Sequence, residues 1–118
     1  MDNSYFDKFI YYSHARTALK YGLLSLGLKK GDNILIPEFI CDVLIQPLKN
    51  IGLKIVYYPI NQNLQPHWEQ CQGIVSKKSR AILMVHYFGQ PQRIDDYKNF
   101  CRTNNLFLIE DCAHAFNV

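Results

Sequence analysis

The residues with the clearest chemical potential are Glu110 and Asp111. They close the apolar run Leu106-Phe107-Leu108-Ile109, and His114 follows three positions later. An apolar run ending on carboxylates reads as a buried parallel strand whose carboxyl end carries chemistry. In open α/β sheets, ligands lie just outside such ends. Two other runs end on polar or turn-forming residues. Asn33-Ile34-Leu35-Ile36-Pro37 delivers Glu38 and Phe39, and Arg80 to Tyr87 delivers His86 and the turn Phe88-Gly89-Gln90-Pro91. A capped helix start at Ser13-His14-Ala15-Arg16-Thr17 offers backbone N–H groups suited to a phosphate. Taken singly, each feature has a plain structural reading. Asp111 could cap a helix or pair with a buried base, His114 could be a satisfied core histidine, and capped helix starts are common. No G-x-G-x-x-G or G-x-x-x-x-G-K-[ST] motif supports a dinucleotide or nucleoside-triphosphate loop.

Alternating elements must position these residues. The spacing of Ala15, Ala18, Leu19, Leu23, Leu24 and Leu26 predicts a helix from Ser13 as the first element, ended at Gly27 or Gly31. A short strand over 33–37 follows, then a helix over 39–50 that Pro47 should kink or end early. A strand over 53–58, a turn at Asn61-Gln62-Asn63, a loose helix between Pro66 and Lys77, and a strand over 80–87 come next. A helix over 94–102, broken at Asn104-Asn105, leads into the final strand. The pattern argues one α/β domain with a mostly parallel sheet flanked by helices.

Composition narrows the function. The chain has 118 residues, 48% of them hydrophobic, which suffices for a core. Only 19% are charged, a hint of surface meant to be covered. The net charge of +3 is mild, and the doublets Lys29-Lys30 and Lys77-Lys78 suit solvated helix ends, so nucleic-acid binding is not expected. Cys41, Cys71, Cys101 and Cys112 form no C-x-x-C pair and no zinc-spaced cluster. Cys41, Cys71 and Cys101 recur at intervals of thirty without matching flanks, as successive β-α units of similar length would. The opening residues lack a basic region and a long apolar run, and no stretch reaches the ~20 apolar residues of a membrane span. A cytoplasmic chain with reduced thiols is expected.

Four segments together resemble the DegT/DnrJ/EryC1/StrS family of PLP-dependent aminotransferases. They are Ala15-Arg16-Thr17-Ala18-Leu19, Lys30-Gly31-Asp32-Asn33-Ile34-Leu35-Ile36-Pro37, Val85-His86-Tyr87-Phe88-Gly89-Gln90-Pro91 and Ile109-Glu110-Asp111-Cys112-Ala113-His114-Ala115. The resemblance runs from about Ser13 to the end. It implies the N-terminal part of the large domain of a fold-type-I enzyme that uses pyridoxal 5'-phosphate (PLP). Such enzymes aminate nucleotide-linked keto-sugars with glutamate or a similar donor, commonly as homodimers.

By that resemblance, Asp111 pairs with the pyridine nitrogen, and His114 matches a position, often glutamine, beside the ring's phenolic oxygen. Ala15 and Arg16 match the pair whose backbone amides hold the phosphate, with alanine replacing the family's usual glycine. Cys41 falls where the family often places an aromatic that stacks on the ring; Phe39 is near, but its register does not point it inward. The family's aldimine lysine lies well beyond the Asp111 motif. Here no lysine follows Lys98, and Lys98 sits in a helix without a matching motif. The rest of the large domain and the small C-terminal domain are also expected to be absent, so the chain alone is expected to be inactive. The alternatives are a non-enzymatic truncated fragment that binds a complementary fragment or PLP weakly, and a small receiver- or flavodoxin-like domain. A first helix and the absence of an acidic cluster after a first strand argue against the last.

Overall fold

Five parallel strands form one sheet in the order β1-β5-β4-β2-β3 in a computed structural model that describes residues 9–12, 22–40, 45–87 and 92–111. The strands are β1 (Phe9–Tyr12), β2 (Asn33–Pro37), β3 (Lys54–Tyr58), β4 (Ser79–Val85) and β5 (Phe107–Asp111). Among the described residues three helices lie between them: α1 (Ile45–Asn50), α2 (Trp68–Ile74) and α3 (Ile94–Asn104). A helical turn over 22–25 precedes β2.

The strands that read as continuous apolar runs are buried on both faces, as a parallel sheet requires. In β4, Ala81, Leu83 and Val85 face one core while Ile82 and Met84 face the other. The first core also takes Leu23 of the 22–25 turn and Ile45 and Leu48 of α1. The second takes Cys71 of α2 and Tyr97, Phe100 and Cys101 of α3. The chain crosses the sheet from β1 through β2 to β3 with helical segments on one face. It returns through β4 to β5 with helices on the other. Reversing direction and changing face together keeps every crossover of one hand.

The expected order is corrected at its start. A strand, β1, precedes the first helix and pairs with β5 in the register Tyr12↔Asp111. Its four residues are too few to show a period, and only the neighbouring β5 ladder gives them partners. A leading strand no longer distinguishes this chain from a receiver-like domain. The start of that helix, from Ser13, lies outside the described residues.

The second helix also differs from expectation. Residues 38–40 are not helical, residues 41–44 lie outside the described residues, and α1 is described over Ile45–Asn50, so the helix runs on past Pro47 instead of ending there. The predicted strand over 53–58 is trimmed to β3, the one over 80–87 shifts to Ser79–Val85 as β4, and α3 runs on to Asn104. Asn105 stops α3 in a left-handed conformation at φ 56°, and the Leu106 N–H closes on the Cys101 carbonyl at 2.9 Å.

After α1 the chain turns at Gly52, with φ 84°. A Cβ there would lie 2.8 Å from the Lys30 side chain, so glycine serves both the conformation and the close approach.

One polar contact is embedded in the second core. The Tyr58 hydroxyl donates to the Leu83 carbonyl at 2.6 Å and lies 2.8 Å from the Tyr97 hydroxyl. With its one proton committed to Leu83, Tyr58 accepts from Tyr97. Both phenols are buried, and desolvation raises their pKa values well above the ordinary range. Tyr58→Phe should lower the free energy of unfolding by about 1–3 kcal/mol in urea denaturation, because it leaves a buried carbonyl without a donor. Tyr97→Phe should cost less, about 1 kcal/mol, because Tyr58 keeps its other partner.

Cys71 and Cys101 sit on α2 and α3 against the same core, and both are free thiols. Desolvation pushes both up to about 12 from an ordinary 9.0. The unfolded chain releases these protons at lower pH than the folded chain does. Stability is therefore fully present below pH 9.0 and is lost as pH rises towards 12. Urea midpoints should fall across that window. At about pH 8, iodoacetamide should spare both thiols in the folded chain and modify them in urea, as read by peptide mass mapping.

Candidate functional site

Because every strand pair is parallel, all five carboxyl ends share one edge. Asp111 is the last residue of β5, opposite Val85 of β4 on one side and Tyr12 of β1 on the other. Its main chain is thus held from both sides in the middle of that part of the edge. The sequence reading of a strand-end carboxylate holds for its position. Ala15, Arg16, His114 and Cys41 lie outside the described residues, as do Phe88 to Pro91 and Cys112.

The structure adds a pairing that sequence reasoning missed. Glu110 lies opposite Met84, and His86 is two residues past Met84. Strand alternation carries both side chains to the face covered by α2 and α3. There the His86 Nε2 meets Glu110 Oε2 in a short contact, with the side chains 10% and 12% exposed. The other ring nitrogen, Nδ1, accepts from the Gln92 backbone N–H at 2.8 Å. A nitrogen that accepts carries no proton, so the imidazole proton resides on Nε2 and is donated to Glu110. The Gln92 side chain continues outward, its Nε2 donating to the Leu64 carbonyl at 2.7 Å. Its Oε1 is buried and without a partner among the described residues. The signal available in the sequence was parity: His86 and Glu110 each close an apolar run. Only the β4–β5 register reveals that they meet.

The neighbouring ends of β2 and β3 are tied by main chain and carboxylate. The Glu38 N–H donates to the Tyr58 carbonyl at 3.0 Å, and Glu38 Oε1 accepts from the Ile60 N–H at 3.2 Å. Across the β2–β4 junction, the Tyr87 hydroxyl donates to the Phe39 carbonyl at 2.5 Å. The two rings pack at 5.5 Å with a 52° tilt. Burial, and secondarily the Glu38 charge, raises the Tyr87 phenol well above its ordinary range. Phe39 is 64% exposed, in keeping with the register that points it away from the core.

The described lysines are elsewhere. Lys29, Lys30, Lys54, Lys77 and Lys78 lie at or just before the amino ends of strands, and Lys49 and Lys98 ride on α1 and α3. Among the described residues no lysine lies at the carboxyl edge, and no cluster of His, Cys, Asp and Glu could hold a metal ion. No helix among them is long and apolar enough to cross a membrane.

Comparison with known proteins fits this geometry. GDP-perosamine synthase of Vibrio cholerae is 31% identical over 117 residues, covering 93% of this chain and 32% of that protein. The chain thus spans about a third of the length of that curated relative. An aminotransferase structure from Psychrobacter cryohalolentis superposes with a TM-score of 0.76 at 26% identity, over 84% of this chain and 25% of its own. The E. coli GDP-4-keto-6-deoxy-D-mannose-3-dehydratase structure superposes with a TM-score of 0.70 at 27% identity, over 81% of this chain and 26% of its own, and holds hydrated PLP. PLP is the cofactor of this group of proteins. The sequence pattern of the DegT/DnrJ/EryC1/StrS aminotransferase family matches residues 7–118, and the chain belongs to that family.

Proposed function

We propose that this chain is the N-terminal part of the cofactor-binding large domain of a PLP-dependent aminotransferase acting on a nucleotide-linked keto-sugar. The observation that carries the reading is Asp111 at the end of β5, flanked by β4 and β1, in a chain of this family. The relatedness to GDP-perosamine synthase supports the substrate class.

The residue types fit part of the cofactor. A carboxylate at position 111 suits a protonated pyridine nitrogen, and by the family resemblance the backbone amides of Ala15 and Arg16 would hold the phosphate. His114 would lie beside the phenolic oxygen. Bound there, PLP supplies an electron sink for a carbanion next to nitrogen. The chain's own part is electrostatic: Asp111 keeps the proton on the ring nitrogen, and the amides hold the phosphate in place. By the family resemblance, the lysine that bonds the cofactor would come from residues beyond these 118; the described lysines lie at the opposite edge or on helices. A homodimer in the cytoplasm is part of the same reading, and the free thiols of Cys71 and Cys101 suit a reducing compartment.

The test is PLP titration of the purified chain, followed by fluorescence, for the natural sequence and Asp111→Asn. The natural chain should bind, and the variant should bind on the order of tenfold more weakly. Equal affinity would sink the cofactor reading. With PLP, glutamate and a nucleotide-linked keto-sugar, the chain alone should give no amination product. Turnover would show that the missing lysine is not needed from outside.

A further inference from the structure

The His86–Glu110 contact does more than occupy space beneath the carboxyl edge. Three hydrogen bonds form one line through Gln92: its side-chain amide donates to the Leu64 carbonyl, its backbone N–H donates to the His86 imidazole, and the imidazole donates to the Glu110 carboxylate. The line starts in the loop between β3 and α2, where Leu64 holds a left-handed φ of 62°. It passes through the connection from β4 to α3 and ends on β5, one residue before Asp111. Every link is directional. The Gln92 N–H fixes the tautomer, the tautomer fixes which atom donates to Glu110, and the Gln92 side chain anchors the line to a second loop. His86 and Gln92 are 8% and 7% exposed, so the bond between them is buried and the two outer bonds are partly shielded from water.

A buried ionisable pair is a poor source of stability, since apolar replacements of similar volume are often neutral or better. The unpartnered Gln92 oxygen adds a further cost. What such a line does supply is placement, and cofactor chemistry is sensitive to placement on the scale of an ångström.

We infer that His86 and Gln92 are positioning residues. Through Glu110 they fix the end of β5, and with it the place where Asp111 meets the cofactor's ring nitrogen. The inference rests on the proposed function and deepens it.

The experiment uses the full 118-residue chain with saturating pyridoxamine phosphate, isotope-labelled at the ring nitrogen and observed by NMR at a pH where the free ring is deprotonated. The ring nitrogen should be protonated in the natural chain and deprotonated in Asp111→Asn. His86→Phe preserves ring bulk and removes both hydrogen bonds. It should cut the ratio of protonated to deprotonated cofactor on the order of tenfold, the usual scale for loss of an outer partner. Glu110→Gln retains an acceptor for the imidazole N–H and should restore most of the signal lost in Glu110→Ala. Imidazole spectra should show the Nε2–H tautomer in the natural chain and in Glu110→Gln.

A folded His86→Phe chain with a fully protonated cofactor would overturn this inference alone. If that variant does not fold, Gln92→Leu decides: a smaller loss in the same direction supports the inference, and none overturns it. A protonated ring nitrogen in Asp111→Asn, or no binding by the natural chain, would overturn the cofactor reading and this inference with it.

Discussion

The pairing of β5 on both its edges is the constraint on which the rest depends. β1 lies on one side, in register from Phe9↔Leu108 to Tyr12↔Asp111, and β4 on the other, from Ala81↔Phe107 to Val85↔Asp111. A strand bonded on both sides cannot tilt or slide without breaking two ladders. The carboxyl end of β5 is therefore the best-determined part of the edge, and the acidic pair Glu110 and Asp111 is located there. Leu108 and Ile109, buried on opposite faces, hold the strand against both helical layers.

Glu110 belongs to the face packed by α2 and α3, where it accepts a hydrogen bond from His86 Nε2. Asp111 is the residue proposed to meet the cofactor. The contacts Tyr87–Phe39 and Glu38–Ile60 extend the edge to β2 and β3 through main-chain atoms. The connections after β2, β3, β4 and the acidic end of β5 are linked by hydrogen bonds rather than by apolar packing alone.

Much of this was legible in the sequence where burial dictates residue type. β4 and β5 stand out because strands covered on both faces must be apolar throughout, and α3 stands out because Tyr97, Phe100 and Cys101 recur at helical spacing. The family resemblance was carried by the loops at strand ends, where chemistry restricts the residues. Less local features were hidden. β1 is four residues long and owes its conformation to β5, almost a hundred positions away. Pro47 looked like an early stop, yet α1 runs on to Asn50. The His86–Glu110 contact depends on register, which no single strand specifies. Asp111 was legible as a strand-end carboxylate, whereas Ala15, Arg16 and His114, which only the family resemblance links to the same cofactor, lie outside the described residues.

The left-handed stop at Asn105 has a consequence beyond ending a helix. It sets the phase with which the chain enters β5, since only Leu106 separates it from the strand. A β-strand carries two interleaved tracks of side chains, one per face. A single residue gained or lost between Asn105 and Phe107 would exchange the tracks. The apolar residues would largely tolerate the exchange, because both faces are oily. The acidic pair would not, since the carboxylate facing His86 would be replaced by its neighbour on the chain. The length of this connection therefore acts as a reading frame for the acidic edge, enforced by polar partners rather than by the hydrophobic core.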